Sequence, residues 1–308
     1  MDPIEGRYSI LEKKWSSKNP SELSDFFQEI RMPDEIERFM SGRQRNEVNI
    51  EIYSKSRDES IILVVPTQDY EGKNATAMKN AFPDKTIVFV ESSGKFFNYA
   101  HSCNSGIQKA LEFEPEWIII SNDDINLDNF PEALFKSITN KKDAYFLLPA
   151  NAGTVSIIIN NFLTNSLISL AALLTGKLNQ FKAQMRIAFK RELRHCLLNI
   201  VISQSLLQRL TKTLSRKVKK DFQMCGYFMI GRAELFRKYQ FDETFINDIE
   251  DVDLMLRIIE SGVKIDKIDF KVEQIGGDSF RHVQTNEMRG IRDLANKIHL
   301  GVKLLNRK

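Results

Sequence analysis

Two groups of carboxylates in the 308-residue chain have the residue types and spacing for chemistry. Asn122-Asp123-Asp124 follows directly on the apolar run WIIIS at 117–121, and Asp248-Ile249-Glu250-Asp251-Val252-Asp253 opens a helical pattern. Adjacent carboxylates repel each other unless a cation or hydrogen-bond donors neutralise them. Hard oxygen ligands suit Mg²⁺ or Mn²⁺, which commonly bridge to phosphate oxygens. A solvated turn with Asp128 as a helix cap is the blander account of the first group. In the second group the helix dipole explains one or two first-turn acids, but four acids in six residues exceed it. A carboxylate crowded by its own kind has a raised pKa, as a general base needs.

These acids need elements that carry them to one place. The β-branched run Ile61–Val65 closed by Pro66, TIVFVE at 86–91 and WIIIS at 117–121 read as buried strands. Between the last two, Ala100, Cys103, Ile107, Ala110 and Leu111 share a helical face. Strands alternating with helices imply an α/β fold with a mixed, mainly parallel sheet flanked by helices. Ligands of such sheets bind beyond the carboxyl ends of the strands, where Asp123 and Asp124 stand. Residues 222–231 read as a further strand, Val252, Met255, Leu256 and Ile259 as one face of a helix ended by Gly262, and 263–268 as a strand. A closing amphipathic helix is expected over 287–305. Residues 1–59 read as an N-terminal extension and 60–308 as the main domain, containing a helical, basic insertion at 153–222.

Composition narrows the classes. Hydrophobic residues at 42% and charged residues at 28% exclude a disordered or collagen-like chain. Cys103, Cys196 and Cys225 have no C-x-x-C spacing, which argues against a disulfide framework or a structural zinc and fits a reducing compartment. The N-terminus is polar and charged where a signal peptide needs an apolar core. The uncharged run from Ala144 to Gly176 is interrupted by Pro149, Gly153 and four asparagines, too polar for a membrane span. The expected location is cytoplasmic, at the inner face of the cell membrane.

Read together, the motifs resemble those of the family 2 glycosyltransferases, inverting enzymes of the GT-A (Rossmann-like) fold, in their non-processive, rhamnosyltransferase-like members. The resemblance runs from about Ile61 to Phe280, outside the basic block. It is carried by VVPTQDY at 64–70, VESSG at 90–94, FNYAHSCNSGIQKA at 97–110, ISNDDI at 120–125, GYFMIGRAELF at 226–236, FDETF at 241–245 and EDVDLMLR at 250–257. It implies a nucleotide-sugar donor bordered by Pro66, Thr67, Asp69 and Glu91, with Asn98, Asn104 and Gly106 shaping its pocket by contact or by packing. Gly226 and Glu250 fall in the matched substrate-binding segments. The resemblance puts Asp123 and Asp124 at the Mn²⁺ or Mg²⁺ and diphosphate, Asp124 as the direct ligand, and Asp251 at the catalytic base. The implied reaction is one displacement, in which Asp251 takes the proton of an acceptor hydroxyl on a glycan or polyprenyl-linked molecule. Processive members carry Q-x-x-R-W; Trp15 and Trp117 are the only tryptophans here, so that motif is missing. Two departures stand out. Glu91 replaces the usual Asp, and Gln274 replaces a His, with His282 nearby as a substitute metal ligand. Gln274 and the long insertion leave room for an alternative, a catalytically inactive GT-A-like scaffold binding membrane or partner proteins. A nucleotidyltransferase is a distant third reading, since EDVDL does not fit it.

Charge is distributed unevenly. Residues 153–220 hold twelve Lys and Arg against one acid, Glu192, while the rest carries 32 bases and 40 acids. Lys182, Arg186, Lys190 and Arg194 recur every four residues beside an apolar stripe of Phe181, Met185, Phe189, Leu193 and Leu197. Like charges at i,i+4 cost a few tenths of a kcal/mol each, which an anionic surface offsets. The pattern suits an amphipathic helix lying on an anionic membrane, extended by Arg289, Arg292, Lys297, Lys303, Arg307 and Lys308. A helix with a solvated basic face is the plain alternative. Nucleic acid is not expected as a partner, because no nucleic-acid motif accompanies the charge.

Overall fold

The computed structural model describes residues 3–54, 59–126, 131–159, 178–202, 218–275 and 285–306. The chain starts with α1 (Pro3–Trp15), α2 (Pro20–Ser24), α3 (Phe26–Glu29) and α4 (Pro33–Gly42). Then follow β1 (Asn49–Tyr53), β2 (Ile61–Thr67), α5 (Lys73–Ala81), β3 (Thr86–Glu91), α6 (Tyr99–Leu111), β4 (Trp117–Ser121), β5 (Ile125–Asn126), α7 (Pro131–Thr139) and β6 (Phe146–Leu148). The middle holds β7 (Gly153–Ile159), α8 (Leu178–Phe189), α9 (Arg191–Arg194), β8 (Leu198–Ile202) and β9 (Val218–Met224). The chain closes with β10 (Phe228–Arg232), α10 (Ala233–Lys238), α11 (Glu250–Glu260), β11 (Ile265–Lys267), β12 (Glu273–Gln274) and α12 (Asn286–Asn306).

These elements form two compact units. The sheet unit comprises Gln44–Ala152 and Gln223–Ser279; the helical unit comprises Met1–Arg43, Gly153–Phe222 and Phe280–Lys308. The sheet unit is α/β, compatible with a Rossmann-like fold. Its seven strands run in the order β1-β3-β2-β4-β10-β6-β11. The pairings set β2, β3, β4, β6 and β11 in one direction and oppose only β1 and β10. β2 and the WIIIS strand are buried along their whole length, which is why their sequences are unbroken apolar runs. α6 packs on β2 and β3, and Gly106 permits it, since a methyl group there would overlap the side chains of Val64 and Val90.

Three expectations are corrected here. The boundary after residue 59 is not a structural one: β1 is an edge strand of the large sheet, paired antiparallel with β3, while residues 1–43 belong to the helical unit. The 222–231 stretch is two strands, not one. β9 ends at Met224 and β10 begins at Phe228, in different sheets, with Gly226 in the turn between them. The 153–222 insertion is not wholly helical, because β7, β8 and β9 form a three-stranded sheet in the order β8-β7-β9. The β-branched runs 154–159 and 200–202 favour a pleated surface.

The helical unit builds its core from aromatic rings. Trp15 meets Phe26 edge-on at 5.2 Å, and Phe26 lies 5.1 Å from Phe39 and 5.3 Å from Phe27. α12 closes this core with Met288, Ile291, Leu294, Ala295 and Ile298 buried, packed against α2, α4 and α8. The basic ridge is broken. α8 ends at Phe189, and Lys190 is extended. Arg186 pairs with Asp25 at 2.7 Å, and the Lys190 ammonium donates to the carbonyls of Gln28 and Ile30 at 2.9 and 2.5 Å. These two bases therefore hold α2 and α3. Leu193 and Leu197 are core residues. From the closing helix, Arg292 donates to the Trp15 carbonyl at 2.8 Å and Lys297 pairs with Asp293, while Arg307 and Lys308 lie outside the described residues. Among the described residues no helix is long and apolar enough to cross a membrane.

Candidate active site

The parallel register sets Thr67 at the end of β2 opposite Glu91 at the end of β3. β4, paired on the other side of β2, delivers Asn122, Asp123 and Asp124 to the same edge. The Thr67 hydroxyl donates to Asp123 Oδ2 at 2.8 Å and accepts from the Asp69 N–H at 3.3 Å. Burial pushes the Asp123 carboxyl above the usual range; neighbouring Asp124 adds to the rise, and the hydrogen bonds from Thr67 and Asn74 oppose it. Asp124 is buried. Gln274 Nε2 donates to both its carboxylate oxygens, at 3.0 and 3.1 Å. The same turn is pinned by the Ile275 N–H, which donates to the Asp124 carbonyl at 2.8 Å, and by the antiparallel pairing of Gln274 with Ile125. The residue that departs from the family pattern thus sits on the carboxylate the family would give to its metal. His282 lies outside the described residues.

Asp251 reaches this edge by a different route. Ile249, which precedes α11, is buried and left-handed at φ 75°. That conformation is an outlier for a β-branched side chain and costs about 1–3 kcal/mol. It turns the chain so that Glu250, Asp251 and Asp253 form the first turn of α11. Asp251 Oδ1 accepts from the Val252 N–H at 2.7 Å. The other oxygen lies against Gly226, where any β-carbon would overlap it. Gly226 is next to Tyr227, whose carbonyl accepts from the Asn122 N–H at 3.0 Å. One backbone hydrogen bond and one residue therefore separate the Asp123-Asp124 turn from the Asp251 carboxylate. Gly226 is needed because the carboxylate takes the place of a side chain.

The acids of α11 have different partners. Asp253 is fully buried and paired with Arg257 at 2.8 Å, whose guanidinium also donates to the Gln240 carbonyl. It is a packing residue. Glu250 is buried beside Tyr99 and Cys103. The Tyr99 hydroxyl donates to Asn122 Oδ1 at 2.9 Å, and its ionisation is pushed far up by burial, then by Cys103 and the charges of Glu250 and Asp251. Burial likewise raises the Cys225 thiol to about 11.

The remaining expected residues divide. Asn98 caps α6 by accepting from the His101 N–H at 2.8 Å and donates to the carbonyls of Glu243 and Phe245 at 3.0 and 2.9 Å. Asn104 donates to the Phe241 carbonyl and to Glu243, and accepts from the Phe241 N–H at 2.9 Å. Both amides clamp the 241–245 loop, so their role is packing. Glu91 accepts from the Tyr70 N–H at 2.9 Å, and Asp69 is exposed on the same loop. Pro66 is buried in β2. Tyr99, Asn122 and Asn74 had not been singled out. Asn122 stood within ISNDDI and Tyr99 within FNYAHS, but nothing in their spacing links a hydroxyl to an amide 23 residues away.

Comparisons with models of known protein families and with curated proteins find no match for this chain. The chemistry rests on the donor set itself. Among the described residues no three His, Cys, Asp or Glu side chains stand together as a metal cage. Asp123 and Asp124 alone fit a hard cation that completes its shell from phosphate oxygens and water, the usual arrangement of Mg²⁺ at a nucleotide. Burial is the main cause of the raised Asp123 carboxyl, and the neighbouring Asp124 charge adds the part that such a cation would relieve.

Proposed function

We propose that the chain is a metal-dependent inverting glycosyltransferase of GT-A type, moving one sugar from a nucleotide-sugar to a hydroxyl of a glycan or polyprenyl-linked acceptor. The observation that carries this reading is the convergence of two acid groups from distant segments at one end of a mainly parallel sheet. The Asp251 carboxylate rests on Gly226, one hydrogen-bonded step from the Asp123-Asp124 turn. Asp123 and Asp124 would hold the Mn²⁺ or Mg²⁺, which would supply neutralisation of the charge on the departing nucleoside diphosphate. Thr67 and Asn74 orient Asp123 by hydrogen bonds. Asp251 accepts the proton of the acceptor hydroxyl as its oxygen attacks the anomeric carbon. Tyr99, whose hydroxyl donates to Asn122 next to the first acid group, also feels the charges of Glu250 and Asp251.

One observation favours the scaffold reading, the Gln274 amide lying on Asp124. Calorimetry separates the two. A panel of nucleoside diphosphates is titrated with Mn²⁺ and with chelator, on the wild type and on Asp124→Ala. Metal-dependent binding that disappears in Asp124→Ala is the expected result. Equal affinity with Mn²⁺ and with chelator for every nucleotide overturns the assignment.

A further inference from the structure

α8 has two apolar faces. One, with Ala183, Gln184 and Ile187, is buried in the helical unit. At 3.6 residues per turn, Leu178, Phe181, Lys182, Met185 and Phe189 fall together on the opposite face. Leu178 is 44% exposed and Phe189 79%, while Phe181 and Met185 are half-buried. A helix apolar on both sides is normally buried on both, yet Leu178 and Phe189 leave part of this outer face exposed.

A groove of about 590 Å³ runs along this face, lined by Phe181, Met185, Phe189, Lys182, Arg186 and Lys190. That volume lies within the ~300–1,000 Å³ of small-molecule sites. The charged ends of Arg186 and Lys190 are drawn away to Asp25 and to the carbonyls of Gln28 and Ile30, so their methylene stems form the wall. Lys182 lines it and is exposed, and Arg191 and Arg194 of the following α9 are exposed as well. An apolar trough with exposed cations on the same two helices matches an amphiphilic surface with a hydrocarbon interior and anionic heads.

We infer that the outer face of α8 and the adjoining α9 is a docking surface for an anionic lipid bilayer. Phe189 enters the headgroup–acyl boundary, and Lys182, Arg191 and Arg194 face the lipid phosphates. The contact differs from the ridge legible in the sequence, because Arg186 and Lys190 are engaged within the protein and Phe189 becomes the principal anchor. It holds whatever reaction the sheet unit performs, so its failure leaves the glycosyl-transfer reading untouched.

Flotation of the full chain at low salt tests it. The vesicles are pure phosphatidylcholine or equal parts phosphatidylcholine and phosphatidylglycerol. The protein should float with the anionic vesicles and stay behind with the neutral ones. Phe189→Ser should lower partitioning about tenfold or more, with circular dichroism unchanged because the ring is exposed. Lys182→Gln, Arg191→Gln and Arg194→Gln should each lower it about fivefold. Absence of flotation with anionic vesicles overturns the inference, as does full flotation of a Phe189→Ser, Lys182→Gln double variant. Retention on single-stranded RNA without flotation overturns it in favour of nucleic acid. Self-association in ultracentrifugation, abolished by Phe189→Ser in a protein that does not float, overturns it in favour of a second copy.

Discussion

In the helical unit acids are answered by bases, while at one edge of the sheet unit acids are answered by other acids. Glu12 meets Arg43, Glu29 meets Lys14, Glu35 meets Arg7, Asp25 meets Arg186 and Asp293 meets Lys297. Each pair joins helices or successive turns around the aromatic core. In the sheet unit Asp123 adjoins Asp124, and Glu250 adjoins Asp251 beside the same turn. The contrast also holds inside the sheet unit, where Asp253 with Arg257, and Glu243 with Arg45 and His101, follow the helical pattern. A carboxylate's task is thus read from the charge of its neighbours more than from its position in a motif. Isolated surface pairs contribute little, so the helical unit rests on its rings, whereas like charges brought together must be held by other interactions.

The largest expected effect tests the first half of that comparison. Phe39→Ala should lower the stability of the helical unit by about 3–5 kcal/mol, the usual cost of emptying a buried aromatic site. Each unit carries one of the two tryptophans. In a Trp117→Phe background, Trp15 fluorescence during urea unfolding reports the helical unit. A midpoint unmoved by Phe39→Ala would mean that the ion pairs, not the rings, hold it.

A somewhat smaller effect separates two acids of one helical turn. Asp251→Asn keeps the size and removes the basic oxygen, so turnover should fall by about 10² or more while nucleotide binding and melting temperature persist. Asp253→Asn should do the reverse, lowering stability through the lost bond to Arg257 and leaving turnover within a few-fold. Gly226→Ala belongs with Asp251→Asn, since its methyl group displaces the carboxylate, and a displacement of about 1 Å can cost about 10². Equal turnover of wild type and Asp251→Asn would move the base elsewhere and dissolve the distinction.

Much of this arrangement was legible beforehand, for a definite reason. β2, β3 and β4 are buried on both faces, so their sequences are unbroken apolar runs ending at the candidate site residues. The α11 acids were legible because four in six residues exceed what a helix dipole favours. What stayed hidden was settled by long-range contact. Asn98 and Asn104 looked equally suited to a ligand and to a loop carbonyl, because an amide's partner is a tertiary matter. The basic ridge kept its four-residue period past the end of its helix. No Gly or Pro marks the break at Lys190; it is the carbonyls of Gln28 and Ile30, 162 and 160 residues away, that capture its ammonium. β7 and β8 pair across about forty residues, which no local pattern announces. The split of 222–231 into two strands is likewise a matter of long-range pairing, since β9 and β10 join different sheets.

The smallest expected effect concerns the contact that departs most from the family pattern. Gln274 is exposed, yet its amide donates to both oxygens of Asp124. In this orientation the N–H end competes with any cation for the same carboxylate. An amide also carries an oxygen, and turning it over would convert the competitor into a neutral ligand. The two possibilities predict opposite signs. If competition governs, Gln274→Ala removes the donor and should raise Mn²⁺ affinity about two- to tenfold, the worth of one hydrogen bond of about 0.5–1.5 kcal/mol. We expect this outcome, because the backbone bonds of β12 to β5 keep Gln274 beside Asp124. Calorimetric titration of Mn²⁺ into wild type and Gln274→Ala, without nucleotide, decides it. A loss of affinity would mean that Gln274 turns its oxygen to the cation, and would place a third donor beside the two acids.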